Sequence, residues 1–161
     1  MARLCLSKNK TEEAIDILLK KMKLCQENKI EVDEEISLMR LGLAYEKKGE
    51  FDKAIQTMKD GKRKAKEAGN GPCMGTLLKH LGFCLGGVKN LFNAEDYMEE
   101  SLLLARGLGK RKEELEILLH CGEIYAQSKD MEQALILLEE GLELAEKYRD
   151  NRYEGLFLVQ I

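Results

Sequence analysis

Apolar residues recur along the chain at the spacing of one helix face. A first set comprises Leu38, Leu41, Gly42 and Tyr45, and a second comprises Ala54, Met58, Gly61 and Ala65. Each set follows the spacing i, i+3 or i+4, i+7 that places side chains on one side of an α-helix. Small residues in each set allow two helices to approach, and large ones fill the remaining space. The pattern predicts two antiparallel helices joined by a turn at Lys48-Gly49-Glu50.

The same arrangement returns at a fixed interval along the chain. Three ladders of small residues show it, each with a step of 40: Gly42, Gly82 and Gly122; Ala14, Ala54, Ala94 and Ala134; and Cys25, Ala65, Ala105 and Ala145. They predict complete helix pairs over 31–70, 71–110 and 111–150, with a partial repeat over 1–30 and the start of a further repeat over 151–161. We therefore expect one array over residues 1–161. Neither end carries the polar cap that stacked repeats need, so we expect a fragment of a longer chain.

One stretch departs from the pattern. Gly86 and Gly87 stand where the other repeats have helix-forming residues, and each glycine costs about 1 kcal/mol in a helix interior. We therefore expect this helix to end early and residues 88–93 to form a long turn. Leu91 and Phe92 would then be apolar residues in a loop. Packing back on the core is the favoured interpretation, and a local docking spot is the alternative.

The repeated residue types resemble the tetratricopeptide repeat. The family pattern, a bulky residue followed by Leu-Gly, Tyr, Ala, a large residue and a small residue, is matched three times, by Leu38, Leu41-Gly42, Tyr45, Ala54, Met58 and Gly61; by Leu78, Leu81-Gly82, Leu85, Ala94, Met98 and Ser101; and by Leu118, Cys121-Gly122, Tyr125, Ala134, Leu138 and Gly141. The family's final proline is missing. The period of 40 is similar to the longer-helix variety in cell-polarity adaptors and kinesin light chains. The resemblance implies an all-α fold of antiparallel helix-pair repeats stacked into a right-handed superhelical solenoid.

The resemblance also implies a concave groove lined by the first helix of each repeat. The candidate partner-binding residues are Ile36, Met39, Arg40, Leu43, Lys47, Lys79, His80, Phe83, Leu119, His120 and Glu123. Apolar anchors among charges of both signs suit an extended or helical segment of another protein. The alternative is a solvated surface with scattered apolar side chains. A clamp for a chaperone's C-terminal carboxylate is disfavoured, because no Asn falls on a groove position.

Composition narrows the class of protein. The 161 residues include one Pro and no Trp, 34% are charged, and the net charge is −3. This composition favours an almost entirely helical chain, and the near-neutral charge gives no reason to expect nucleic-acid binding. The longest apolar runs are too short for membrane insertion. Five cysteines, an odd number without a CxxC motif, favour free thiols acting as small core residues in a reducing compartment, so we expect a cytoplasmic location.

Catalytic and cofactor chemistry has no sequence support. No serine lies in a nucleophile elbow, and Gly86-Gly87 is not followed by the Lys-Ser/Thr of a phosphate-binding loop. His80 and His120 occupy equivalent positions, but two histidines in a polar groove are better interpreted as hydrogen-bonding side chains than as a zinc pair. We therefore expect no catalytic residue, cofactor or metal. The basic cluster Lys59, Lys62, Arg63, Lys64 and Lys66 is interpreted as a solvated face rather than as a docking patch.

The function predicted from these observations is that of a protein-interaction scaffold or adaptor. It would bind a peptide or helix of a partner in the concave groove, and the long repeat period suggests a cytoskeletal or axonemal assembly, with a location in the cytoskeleton or cilium. The alternative is a regulatory, peptide-sensing module that controls an attached effector domain. Self-association is a further expectation, because residues 1–30 carry a charge of +3 and residues 111–150 carry −6.

Overall fold

The chain is helical wherever its structure is described. The computed structural model describes residues 10–28, 30 and 33–161. These residues contain the following helices and no strand: α1 Thr11–Glu27, α2 Glu34–Lys48, α3 Phe51–Glu67, α4 Gly71–Gly87, α5 Leu91–Gly107, α6 Arg111–Gln127, α7 Met131–Tyr148 and α8 Asn151–Gln160. The predicted all-α fold of helix pairs is confirmed. The start of the predicted partial repeat, including Cys5, lies outside the described residues.

A common turn ends the helices from α2 to α7. The residues with positive φ are Gly49, Gly69, Lys89, Gly109, Lys129 and Arg149, at intervals of 20. The amide of the residue after each of them donates to the carbonyl five residues earlier, as in Glu50 N to Tyr45 O at 3.0 Å. This is the hydrogen bond of a Schellman cap, which needs a left-handed residue just past the helix end. The structure therefore repeats one helix and one turn at this interval.

Three of these left-handed positions are occupied by residues with a side chain. Lys89, Lys129 and Arg149 have φ of 60°, 67° and 56°. A Cβ in this conformation is strained by about 1 kcal/mol, and glycine removes the strain. We expect Lys89→Gly, Lys129→Gly and Arg149→Gly each to raise the free energy of unfolding by about 0.5–1 kcal/mol, measured by urea denaturation.

The matched control reverses that change. Gly49 has φ of 82° and a Cβ added there would meet no atom within 4 Å, so only backbone strain opposes a side chain. Gly49→Lys should therefore lower the free energy of unfolding by about 1 kcal/mol. Equal effects of lysine and glycine at positions 49 and 89 would show that the left-handed conformation carries no cost in this turn.

The expected early end of the third repeat's first helix is wrong. Helix α4 runs to Gly87 and has the same length, 17 residues, as α3 and α5. The next helix, α5, begins at Leu91, which is half-buried in its first turn, while Phe92 beside it is exposed. Burial of Leu81, Cys84 and Leu85 on α4 stabilises the helix by more than the two glycines cost.

The chain divides into two compact units, Met1–Cys84 and Leu85–Ile161, and α4 crosses the boundary. In the first unit α2 packs against α1 and α3. A cluster of Ile15, Leu18, Leu41 and Ala44 fills the contact between α1 and α2. Between α2 and α3, the side chain of Met58 lies so close to Gly42 that an added Cβ would stand 2.5 Å from its Cγ atom. The small residue is needed for this approach.

In the second unit α6 packs between α5 and α7, and α8 packs against α7. Gly122 on α6 faces Leu138 on α7, where an added Cβ would lie 2.6 Å from the leucine Cγ. Gly141 on α7 lies against the ring of Phe157 on α8, which is fully buried. The predicted role of the glycine ladders in helix contacts is confirmed at these positions. The predicted repeat boundaries within a single array, and its superhelical path, stay predictions.

Candidate functional site

The first-helix residues predicted to line a groove lie on α2 and α4 of the first unit. Met39 and Leu43 on α2 and Phe83 on α4 are each half-buried, as is Ile36 at the start of α2. The two helices meet side by side, because the Sγ atom of Cys73 on α4 lies 3.7 Å from the Sδ atom of Met39. We call this surface the α2–α4 face. It presents apolar side chains that retain part of their surface for a ligand.

His80 organises the centre of the α2–α4 face. Its Nδ1 atom lies 2.7 Å from Oε2 of Glu46 on α2, and both side chains are about four-fifths buried, with exposed fractions of 21% and 23%. The imidazole ring also meets the Phe83 ring edge-on, with centroids 5.4 Å apart. His80 therefore holds Glu46 in a hydrogen bond and fixes one side of the Phe83 ring. The predicted hydrogen-bonding role of this histidine agrees with the geometry.

Basic side chains surround the apolar part of the face. Lys79 places its Nζ atom 5.9 Å from the centroid of the Phe83 ring, within the range of a cation–π interaction. Arg40 is half-buried on α2, and Lys47 is exposed beside the last residue of that helix. With the Glu46 carboxylate bound by His80, the remaining charged groups of the predicted set in this unit are cationic. The α2–α4 face thus favours a ligand that carries acidic groups.

The other three predicted groove residues lie on α6, in the second unit. His120 and Glu123 are half-buried and bind each other, with Nδ1 2.8 Å from Oε2. Leu119, expected to be an apolar anchor, is only 8% exposed and so belongs to the packed interior. Its membership of an accessible groove is not supported by this burial. The assignment of His120 and Glu123 to a partner-binding surface stays a prediction.

Sequence reasoning did not predict the pairing of His80 with Glu46. The two residues are 34 positions apart and belong to different repeats. The available signal was their register, because both fall on the face that the first helices present to the predicted groove. A residue pattern cannot show which carboxylate a histidine reaches, since that choice depends on how two helices are offset along their axes.

A second concave feature in the first unit was not predicted. It is an open cavity of about 850 Å³ lined by Met22, Cys25, Gln26, Ile30, Asp33, Glu34 and Lys64. The ammonium group of Lys64 lies 2.8 Å from Oε2 of Glu34 at its rim, and this contact raises the pKa of Lys64. Part of the basic cluster on α3 is thus engaged in ion pairs, because Arg63 also pairs with Glu67 at 2.9 Å.

The described cysteines are free thiols, as expected. Cys73, Cys84 and Cys121 are buried and Cys25 is half-buried. Burial raises the pKa of Cys73 to about 11 and the pKa values of Cys84 and Cys121 to about 12. These three thiols remain protonated at neutral pH and act as core side chains.

Within residues 10–28, 30 and 33–161, no group of three or more His, Cys, Asp or Glu side chains is placed to hold a metal ion. No helix in this part of the chain is long and apolar enough to cross a bilayer.

Comparison with solved structures gives the same architecture. TPR-like repeats assigned to a kinesin light chain of Podosopora anserina match at a TM-score of 0.77 and 14% identity, over 91% of this chain and 72% of theirs. Aspartyl phosphate phosphatase F of Bacillus subtilis matches at 0.86 and 14% identity, over 99% of this chain and 42% of that one. The Rap conjugation gene regulator of plasmid pLS20, solved with the Phr* peptide, matches at 0.70 and 17% identity, over 97% and 54%.

Comparison with protein families identifies the repeat itself. No curated protein matches the chain significantly in sequence. Two models of the tetratricopeptide repeat match it, one over residues 37–68 and one over residues 73–147. The matched segments contain α3 and all of α5 and α6, and they include the glycines that lie at the helix contacts. Repeat pattern, helix-pair packing and family models agree, and the chain belongs to the tetratricopeptide repeat family.

Proposed function

We propose that the chain is a protein-interaction module whose α2–α4 face binds a segment of a partner protein. The observation that carries this proposal is the group of half-buried apolar side chains, Met39, Leu43 and Phe83, held beside the His80–Glu46 pair. Apolar pockets with a few fixed polar groups are the usual form of a peptide-recognition surface. Because α2 is held between α1 and α3 within the first unit, the face is formed before a partner arrives, which lowers the entropic cost of binding.

The charges of the face define the kind of segment it fits. Arg40, Lys47 and Lys79 are cationic, and the one nearby carboxylate, Glu46, is bound by His80. A partner segment that combines an aliphatic or aromatic anchor with acidic neighbours satisfies both features, since the anchor packs beside Phe83 and the carboxylates meet the basic groups. Binding of this kind weakens as ionic strength rises, because exposed charge pairs are screened.

The experiment compares partner capture by wild-type chain and by a variant of the face. Leu43→Glu with Phe83→Glu places two charges among the apolar side chains, and both positions are half-buried, so circular dichroism must show native helix content. The matched control is Lys59→Glu with Lys66→Glu on the exposed side of α3. We expect partners identified from native extract to be lost with the first variant and retained with the control. Equal capture by all three proteins would refute the proposal.

A cytoskeletal role is the finer form of this proposal. It is supported by the similarity to kinesin light chain repeats and by the period of 40 that the sequence shows. The scaffold would then join partner proteins in a cytoskeletal assembly. Co-sedimentation of the captured partners with microtubules is the direct measurement, and partners that stay wholly in the supernatant would exclude this form.

The alternative function, regulation by a sensed peptide, has support of its own. The similar pLS20 regulator was solved in complex with a peptide, and a signal-transduction ATPase of Pyrococcus horikoshii with a tetratricopeptide repeat sensor matches 99% of this chain at 21% identity. This chain covers 54% and 27% of those two proteins, so each contains further segments. Flanking sequence that encodes an effector domain would favour regulation, whereas further repeats would favour a scaffold.

A further inference from the structure

Large apolar side chains are exposed on α5 and α7, away from the α2–α4 face. They are Phe92, Leu103, Met131, Leu135 and Ile136, with exposed fractions of 75%, 73%, 64%, 42% and 51%. We call this set the outer apolar face. Apolar side chains this exposed are usual when scattered, but several grouped on one side of a unit mark an interaction surface.

The register of the helices puts these residues on one side of the second unit. Phe92 and Leu103 are separated by about three helical turns, so they lie on the same side of α5 and about 16 Å apart. The opposite side of α5 is buried through Ala94, Met98 and Ala105. Ile136 on α7 takes the repeat position that Asp96 takes on α5, one turn beyond Phe92. Helix α7 therefore adds an apolar side chain between the two ends of the α5 stripe.

Helices α5 and α7 are also held together. Both pack against α6. The guanidinium of Arg106, near the end of α5, pairs with Glu140 on α7. The two stripes therefore form one fixed surface within the unit, and a ligand that contacts both does not have to order them first.

The equivalent positions of the first unit are polar. Asp52, Arg63 and Gln56 on α3 take the register of Phe92, Leu103 and Ile136, and all three are exposed. The fold of the repeat therefore does not require apolar residues at these sites. The outer apolar face is a property of the second unit alone, and packing within the unit does not account for it.

Acidic residues surround the outer apolar face. Asp96, Glu132, Glu139 and Glu143 are exposed on the same two helices, and within the described part of the chain none of the four takes part in an ion pair. Residues 111–150 as a whole carry a charge of −6. A ligand that covers the apolar side chains must therefore bring cationic groups to the rim.

We propose that the outer apolar face binds a basic amphipathic helix of a partner protein. Helix α5 has 17 residues and is about 25 Å long, so an aligned helix of about 15 residues reaches from Phe92 to Leu103. Apolar side chains at i, i+4, i+7 and i+11 of the partner cover the apolar set, and Lys or Arg on the flanks meet the four carboxylates. This surface is independent of the α2–α4 face.

The test uses three labelled synthetic peptides of about 18 residues and fluorescence anisotropy. The first is an amphipathic helix of Leu, Ala and Lys, the second replaces every Lys by Glu, and the third scrambles the first so that no apolar face forms. The variant is Phe92→Ser with Leu103→Ser and Ile136→Ser, and all three positions are exposed. The control is Leu19→Ser with Leu24→Ser on α1, which removes apolar surface of 44% and 57% exposure elsewhere.

We expect the basic amphipathic peptide to bind wild type and control alike, and to bind the triple variant at least about tenfold more weakly. Glu139→Lys with Glu143→Lys should weaken binding to a similar extent and flatten its salt dependence. The proposal is overturned if the acidic or scrambled peptide binds equally well, or if the triple variant keeps full affinity. It is also overturned if sedimentation shows a wild-type dimer that the triple variant abolishes, since the face would then be an interface between copies.

Discussion

Gly141→Ala should lower the free energy of unfolding by about 2–3 kcal/mol. A Cβ at this position of α7 would overlap three atoms of the Phe157 ring, which is fully buried. An aromatic ring cannot bend away, so α8 must move from α7 or the ring must leave its rotamer. The higher helix propensity of alanine offsets about 1 kcal/mol of a larger steric cost. Urea denaturation followed by far-ultraviolet circular dichroism measures the net effect.

The same unit supplies a matched control in Gly155→Ala. Gly155 lies inside α8, and a Cβ added there would meet no atom within 4 Å. This substitution should leave stability unchanged or raise it by up to about 1 kcal/mol. The two variants make the same chemical change in neighbouring helices, so the difference between them isolates the contact with Phe157. Equal stability of the two proteins would contradict the account of helix packing given above.

Arg106→Met should destabilise the second unit by about 2 kcal/mol. The Nε atom of Arg106 donates to Oε1 of Glu114 at 3.0 Å, and the Tyr148 hydroxyl donates to Oε2 of Glu114 at 3.2 Å. The Glu114 side chain is 11% exposed, so removal of the arginine leaves a carboxylate that water reaches poorly. Burial together with Glu114 also raises the pKa of Tyr148, which keeps its donating proton over the neutral range.

A double variant and an exposed pair complete this experiment. Adding Glu114→Gln to Arg106→Met removes the unpaired charge and should recover about half of the loss. Arg63→Met breaks the Arg63–Glu67 pair of α3, whose side chains are 61% and 55% exposed, and should cost less than about 0.5 kcal/mol. If Arg63→Met and Arg106→Met had the same effect on the denaturation midpoint, burial of Glu114 would carry no energetic consequence.

The fold could be predicted from the sequence because small residues recur at the helix contacts. Gly42 and Gly122 were identified by their regular spacing, and each lies against a large side chain of the following helix. The path through Gly86 and Gly87 was not predictable in this way. Helix propensity counts against two glycines, and only the packed structure shows how much apolar burial on α4 outweighs them.

The site was predicted less completely than the fold. Register placed Met39, Leu43 and Phe83 on one surface, which needs only the helical period. It could not distinguish the half-buried Phe83 from the buried Leu119, because the depth of a side chain depends on what the neighbouring helix carries. Register also gave no information on hydrogen-bond partners, since the contact of His80 with Glu46 joins different helices.

The recurring helix cap gives the chain a rule of parity. Each block of one helix and one turn ends in the same left-handed conformation and the same hydrogen bond, so the backbone makes no distinction between a first and a second helix. Only the side chains alternate, with a period of two blocks. Gain or loss of two blocks during evolution leaves inner and outer roles intact. A change of one block exchanges them for every later helix, although each turn would still close.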